Sequence, residues 1–192
     1  MLELILICII ALGVALLGAR QALRRRAMKD RLRGPLRSLV MLRDAPRGLT
    51  ESVVRTAIMR ALGEEPVITP RPFDAASIGF LARVADGTDL LLIDAHRRYG
   101  ADPDDVDDRI PDPALRQAMR SHAAWCSVDL FGRCSDADTE STHMPRLARI
   151  MAALDDGAAL AFIRIDLAAL ALPGERTRNA FAAGDARSPF TQ

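Results

Sequence analysis

Aromatic side chains are scarce in this chain, with one Trp, one Tyr and six Phe among 192 residues. Its core must therefore come mainly from Leu, Ile, Val, Ala and Met. Cysteine is scarcer still, and three copies do not make a disulfide scaffold. No Cys-x-x-Cys pair occurs, so the tight spacing that marks structural zinc is missing. There is no Gly-rich phosphate loop, no dinucleotide fingerprint, no kinase signature and no Gly-x-Ser-x-Gly elbow. Repeats of the solenoid or propeller kind are absent too. With these gone, the informative features are the placement of charge and the periodicity of the apolar residues.

The strongest of them lies at the front. Residues 4–19 are uncharged and almost wholly apolar. As a helix at about 1.5 Å per residue they would reach about 24 Å, a little short of a hydrocarbon core of about 30 Å. Leu2, Ala22 and Leu23 can extend the run, while Glu3 and the following arginines snorkel to the interfaces. Residues 2–19 therefore read as one transmembrane anchor. A cleaved signal would need a cationic start, and the chain offers Met1, Leu2 and Glu3. Leu17-Gly18-Ala19 also puts Leu where a cleavage site needs a small residue, and Ile7 precedes Cys8 where a lipoprotein site needs one.

Residues 20–37 form a basic neck, with eight cationic side chains opposed only by Asp30. Arg20, Arg24, Arg25, Arg26, Lys29, Arg31 and Arg33 are expected to lie against anionic lipid headgroups, each contributing about 1 kcal/mol near the surface. Positive flanks resist translocation, which places the body on the cytoplasmic side as a single-pass protein. The whole chain carries only +1, so the body beyond the neck is mildly acidic. The neck has no interleaved aromatics, and nucleic acid is not an expected partner.

Residues 38–172 are long enough for one domain. Ser38 to Arg43 is an apolar run between Pro35 and Pro46 and reads as a buried strand. Thr50 is placed to cap a helix whose Val53, Val54, Ala57, Ile58, Ala61 and Leu62 recur at helical spacing, and Gly63 to end it. A brief extended piece spans 66–70. Residues 78–84 and 89–94 read as strands joined at Asp86-Gly87, a hairpin signal. Asp112-Pro113 opens a second helix, Trp125 to Phe131 alternates as a strand, Met144 to Leu154 is helical, and 158–165 is a final strand. The expected fold is α+β, a two-layer sandwich of a largely antiparallel sheet with helices on one face. Residues 173–192 are expected to form a loosely packed tail, with Phe181 and Phe190 as its large anchors.

The densest chemistry is His122-Ala123-Ala124-Trp125-Cys126-Ser127-Val128-Asp129 at a helix-to-strand junction. Strand alternation puts Trp125, Ser127 and Asp129 on one face and Cys126 and Val128 on the other. His122, Ser127 and Asp129 are thus candidate members of a hydrolytic triad, which requires an imidazole beside the Ser hydroxyl and a carboxylate to orient it. Against this, the stretch also reads as structural: a helix-end His, a space-filling Trp and a strand-end Asp. His122, Cys126, Cys134 and His143 include zinc-type ligands at wide spacings, and Cys126 alternates into the apolar set instead. Asp102, Asp104, Asp105, Asp107 and Asp108 lack the Gly and Glu register of a calcium loop and read as a solvated acidic turn. The sequence calls for no cofactor and no metal.

Arg37 to Thr50 (RSLVMLRDAPRGLT) and His122 to Leu130 (HAAWCSVDL), with Leu160 to Ile165 and Leu172 to Arg176, resemble an uncharacterised bacterial domain family. That resemblance implies no activity and no catalytic residues, but it does imply that the membrane is the bacterial inner one. The expected role is a membrane-tethered cytoplasmic interaction or ligand-sensing module, with a protein partner or a second copy of the chain as its target. The alternative is a hydrolase-type enzyme using His122 with Ser127 and Asp129.

Overall fold

The computed structural model describes residues 37–100, 110–131 and 139–190. All of these belong to one compact unit, Pro35–Gln192. The anchor at 2–19 and the neck side chains Arg20 to Arg33 lie outside the described residues, as do Asp102 to Asp108 and Cys134. Among the described residues, no helix is long and apolar enough to cross a membrane.

Among the described residues, seven strands and four α-helices make an α+β fold: β1 (Ser38–Arg43), α1 (Glu51–Leu62), β2 (Val67–Asp74), β3 (Ser77–Arg83), β4 (Asp89–Ala95), α2 (Pro113–Ser121), β5 (Ala124–Phe131), α3 (Met144–Leu154), β6 (Ala159–Arg164), β7 (Ala169–Ala171) and α4 (Glu175–Ala182). The strands form one antiparallel sheet in the order β2-β3-β4-β5-β1-β6-β7. The local signals explain the boundaries. The Thr50 hydroxyl accepts from the N–H of Val53 at the start of α1, and Gly63 closes that helix at φ 71°, which costs glycine little. The Asp112 side chain accepts from the N–H of Ala114, with Pro113 in the first turn of α2.

β1 lies inside the sheet, and all six of its residues are buried. Leu39 and Met41 point to a large core with Leu92, Val128 and Phe162, covered by Val54 and Ile58 of α1 and by Leu147, Ile150 and Met151 of α3. Val40 and Leu42 point the other way, to a smaller core with Ala161, Ile163 and Ala118, packed against Leu115, Met119, Tyr99 and Trp125. This corrects the one-face expectation, because α2 covers the face opposite α1 and α3. The cause is apolar pattern: β1 and β6 carry apolar residues on both faces, and each such side chain gains about 1.5–3 kcal/mol when fully buried.

The tail is also packed. Phe181 of α4 meets Phe162 edge-on, with ring centroids 5.0 Å apart, and Phe190 lies 6.0 Å from Phe181. Both rings are buried in the large core. The buried Arg164 of β6 ties this segment down. Its Nη1 donates to the Ala186 carbonyl at 2.9 Å, its Nε and Nη2 donate to Asp166, and its Nη2 also reaches Glu140. The domain therefore runs through Phe190, and the loosely packed tail expected at 173–192 is corrected for its described residues. A second buried pair, Arg43 and Asp94 at 3.8 Å, joins β1 to β4. Arg43 also donates to the Leu154 carbonyl at the end of α3, while Asp94 accepts the N–H of Leu49.

Candidate functional site

His122 ends α2, and its ring is fully engaged by backbone. Nδ1 lies 2.8 Å from the Met119 carbonyl, and the N–H of Tyr99 donates to Nε2 at 2.8 Å. A carbonyl needs a donor and an N–H needs an acceptor, so the imidazole is the neutral Nδ1–H tautomer. Burial depresses its pKa, as does the nearby Arg98 cation. Arg98 completes the local lock by donating to the Met119 and Arg120 carbonyls. His122 thus fastens the chain after β4 to the end of α2.

Ser127 and Asp129 share a face of β5, and the structure brings them together. The Ser127 hydroxyl donates to Asp129 Oδ2 at 3.0 Å. Ser38 of β1 stands directly opposite Asp129 in the ladder. Asp129 is only 6% exposed. Burial raises its carboxyl to about 6, softened by the hydroxyls of Ser38 and Ser127. Other buried carboxylates have an arginine beside them: Asp94 has Arg43, Asp155 has Arg178, and Asp166 has Arg37 and Arg164. Asp129 has none among the described residues. Trp125 packs edge-on against Tyr99 at 5.3 Å, and its Nε1 has no hydrogen-bond partner among the described residues.

A triad relay needs a ring nitrogen at the Ser hydroxyl. Both nitrogens of His122 are committed to backbone, and Ser127 spends its proton on Asp129, so the three candidates are two separate pieces of structure. Cys126 faces the opposite side of the sheet from Ser127, fully buried, with its thiol pushed up to about 12 by burial. Among the described residues, no group of three or more His, Cys, Asp or Glu is placed to hold a metal ion.

A feature that local sequence reading missed is a cavity of about 670 Å³ beside β7. Its floor is the continuous stretch Ala168 to Leu172. One wall is Ile110, Pro111, Asp112 and Leu115, at the start of α2; the other is Thr177, Pro189 and Phe190. Most of the lining side chains are apolar, with Asp112 and Thr177 the polar ones, while polar atoms make up nearly half of the exposed lining, so the groove offers both burial and hydrogen-bonding groups. The turn into β7 passes through Ala168 at φ 48°, and no other described residue except glycine has positive φ. The backbone is therefore strained at one end of the groove floor. The size and volume of the groove were hidden from sequence because four separate segments build it.

Compared with protein-family models, with curated proteins and with solved structures, the chain matches none.

Proposed function

We propose that this protein is a membrane-tethered interaction or ligand-sensing module, held at the cytoplasmic face by residues 2–19 and the basic neck, and that it binds through the groove beside β7. The carrying observation is the groove itself: about 670 Å³, lined mostly by apolar side chains, and continuous along a sheet margin. This volume lies within the range of about 300–1,000 Å³ typical of ligand sites. Kinship with the uncharacterised bacterial family that His122 to Leu130 resembles belongs to the same proposal and adds no activity to it. The hydrolase alternative has in its favour the Ser127–Asp129 hydrogen bond and a carboxyl of raised pKa. The commitment of both His122 nitrogens to Met119 and Tyr99 weighs against it.

Two measurements test the proposal. The full-length chain should sediment with membranes and resist release by high salt. A photoreactive side chain at Leu172, a partly exposed groove residue, should give a discrete adduct in cells. The same group at Val53, exposed on α1, should give none of that adduct. Release by salt would remove the anchor from the proposal, and identical adducts at both positions would remove the groove.

A further inference from the structure

The geometry points to strand addition in this groove: an extended, apolar segment of a partner protein pairs with Ala169–Ala171 as an eighth strand of the sheet. This rests on the reading that the groove is the binding site. Its own basis is the hydrogen-bonding state of β7.

β7 pairs with β6 through Phe162 to Ala171, Ile163 to Leu170 and Arg164 to Ala169, and it stands last in the sheet. In an antiparallel ladder, successive residues direct their N–H and C=O groups to alternate sides. Some of the backbone groups of Ala169–Ala171 must therefore point away from β6, into the groove. Among the described residues, no backbone hydrogen bond reaches Ala169, Leu170 or Ala171 from outside the ladder. Margins of this kind are templates for another strand unless the protein blunts them.

The opposite margin is blunted. β2 carries Pro70 and Pro72, which lack N–H groups, and it is largely solvent-exposed. β7 carries no proline, and two of its three side chains are alanines that leave the backbone approachable.

The groove walls match what a strand presents. Leu170 belongs to the α2 side of the sheet with Leu115, whereas Ala171 belongs to the opposite side with Phe190. Alternate side chains of an added strand would therefore enter the two walls in turn, the arrangement by which strand-adding sites read sequence. Ala168 is left-handed and donates its N–H to the Ile165 carbonyl, and the Leu172 carbonyl accepts from Thr177. Backbone pairing is therefore confined to the three residues Ala169–Ala171, about 10 Å of strand at about 3.4 Å per residue. The lining favours uncharged side chains. Because the floor is flanked by side chains on both faces, it suits a free length of chain, not the margin of a second folded sheet. A second copy of this protein is thereby disfavoured as occupant.

The test uses the purified full-length chain and a short capped peptide of alternating valine and leucine, flanked by lysines and carrying a fluorophore. Binding is read by anisotropy. Two twins of the peptide carry N-methyl groups on one or the other set of alternate backbone amides. The expected result is binding, an affinity loss of about tenfold for one methylated twin only, and a similar loss with Leu172→Glu in the protein. Amide exchange at Ala169–Ala171 should slow on binding. Equal affinity for all three peptides, with the Leu172→Glu effect retained, would overturn strand pairing and leave the groove as a side-chain site. Failure of every peptide, together with Leu172-dependent binding of a fluorescent fatty acid, would overturn the inference and keep the groove. If neither probe binds, both readings fall.

Discussion

Asp129 holds its proton to a pH at which a surface aspartate has long lost it. Burial raises its folded-state pKa to about 6, and among the described residues no arginine offsets the cost of its charge. The folded state therefore binds more protons than the unfolded chain. The associated stability is complete below the ordinary aspartate pKa and is lost as pH rises through about 6. Asp129→Asn should stabilise the fold at pH 7–8 by up to about 3 kcal/mol and change little at pH 4. Thermal melts of both proteins across this range check it; an equal offset at every pH would show that ionisation is not the cause. His122 runs in the opposite sense. Its pKa is depressed, so its contribution is present above the ordinary histidine pKa and is lost as pH falls from there through the lower folded-state value. The variant-minus-parent difference isolates Asp129 from that trend. At one end of the groove floor, Ala168 sits at φ 48° with its Cβ crowded against the backbone. Ala168→Gly should relieve this and gain roughly 0.5–1 kcal/mol, net of the extra freedom glycine has when unfolded. A lower melting temperature for this variant would mean that the turn is held by packing that needs the methyl group.

Among the elements, Arg164 decides whether the last segment belongs to the domain. It sits in β6, is 1% exposed, and joins Asp166, Glu140 and the Ala186 carbonyl. Arg164→Met should cost about 3–5 kcal/mol, because it leaves Asp166 buried with a weaker set of partners. The same change should expose the chain after α4 to protease before the rest unfolds. Glu140→Gln removes a partner that is 44% exposed and should be mild by comparison. Which elements were legible follows from where their signals lie. Thr50 and Gly63, Asp86-Gly87 and Asp112-Pro113 act within a few residues, and α1, the β3–β4 hairpin and α2 form where those signals fall. β7 is Ala-Leu-Ala, with no β-branched residue, and exists only because β6 supplies its partner. α4 reads as polar, since Thr177 and Phe181 are its only buried residues. The face chosen by α2 depends on Val40 and Ala161, which are distant in sequence. The candidate site divides in the same way. The shared face of Ser127 and Asp129 followed from strand alternation, but the capture of His122 by the Tyr99 N–H is a long-range contact. No local pattern encodes it.

At the scale of the molecule, the two sheet margins are treated differently. β2 is long, exposed and interrupted by prolines, whereas β7 is short and lies in a groove. The same sheet places β1, the first strand after the neck, between β5 and β6. Its partners arrive late: Val40 pairs with Ser127 and Ile163, roughly 90 and 120 residues further along the chain. During synthesis an apolar strand of six residues therefore emerges early and waits unpaired until nearly the whole domain has followed. Closing such long loops before any contact offsets the cost makes folding slow, and refolding of the body should be correspondingly slow for its size. Refolding within microseconds, as for a helical bundle, would show that β1 docks elsewhere first. If residues 2–19 anchor the chain as proposed, the waiting strand is confined within about twenty residues of a lipid surface, so the membrane that holds the protein is also the first apolar phase its central strand can meet.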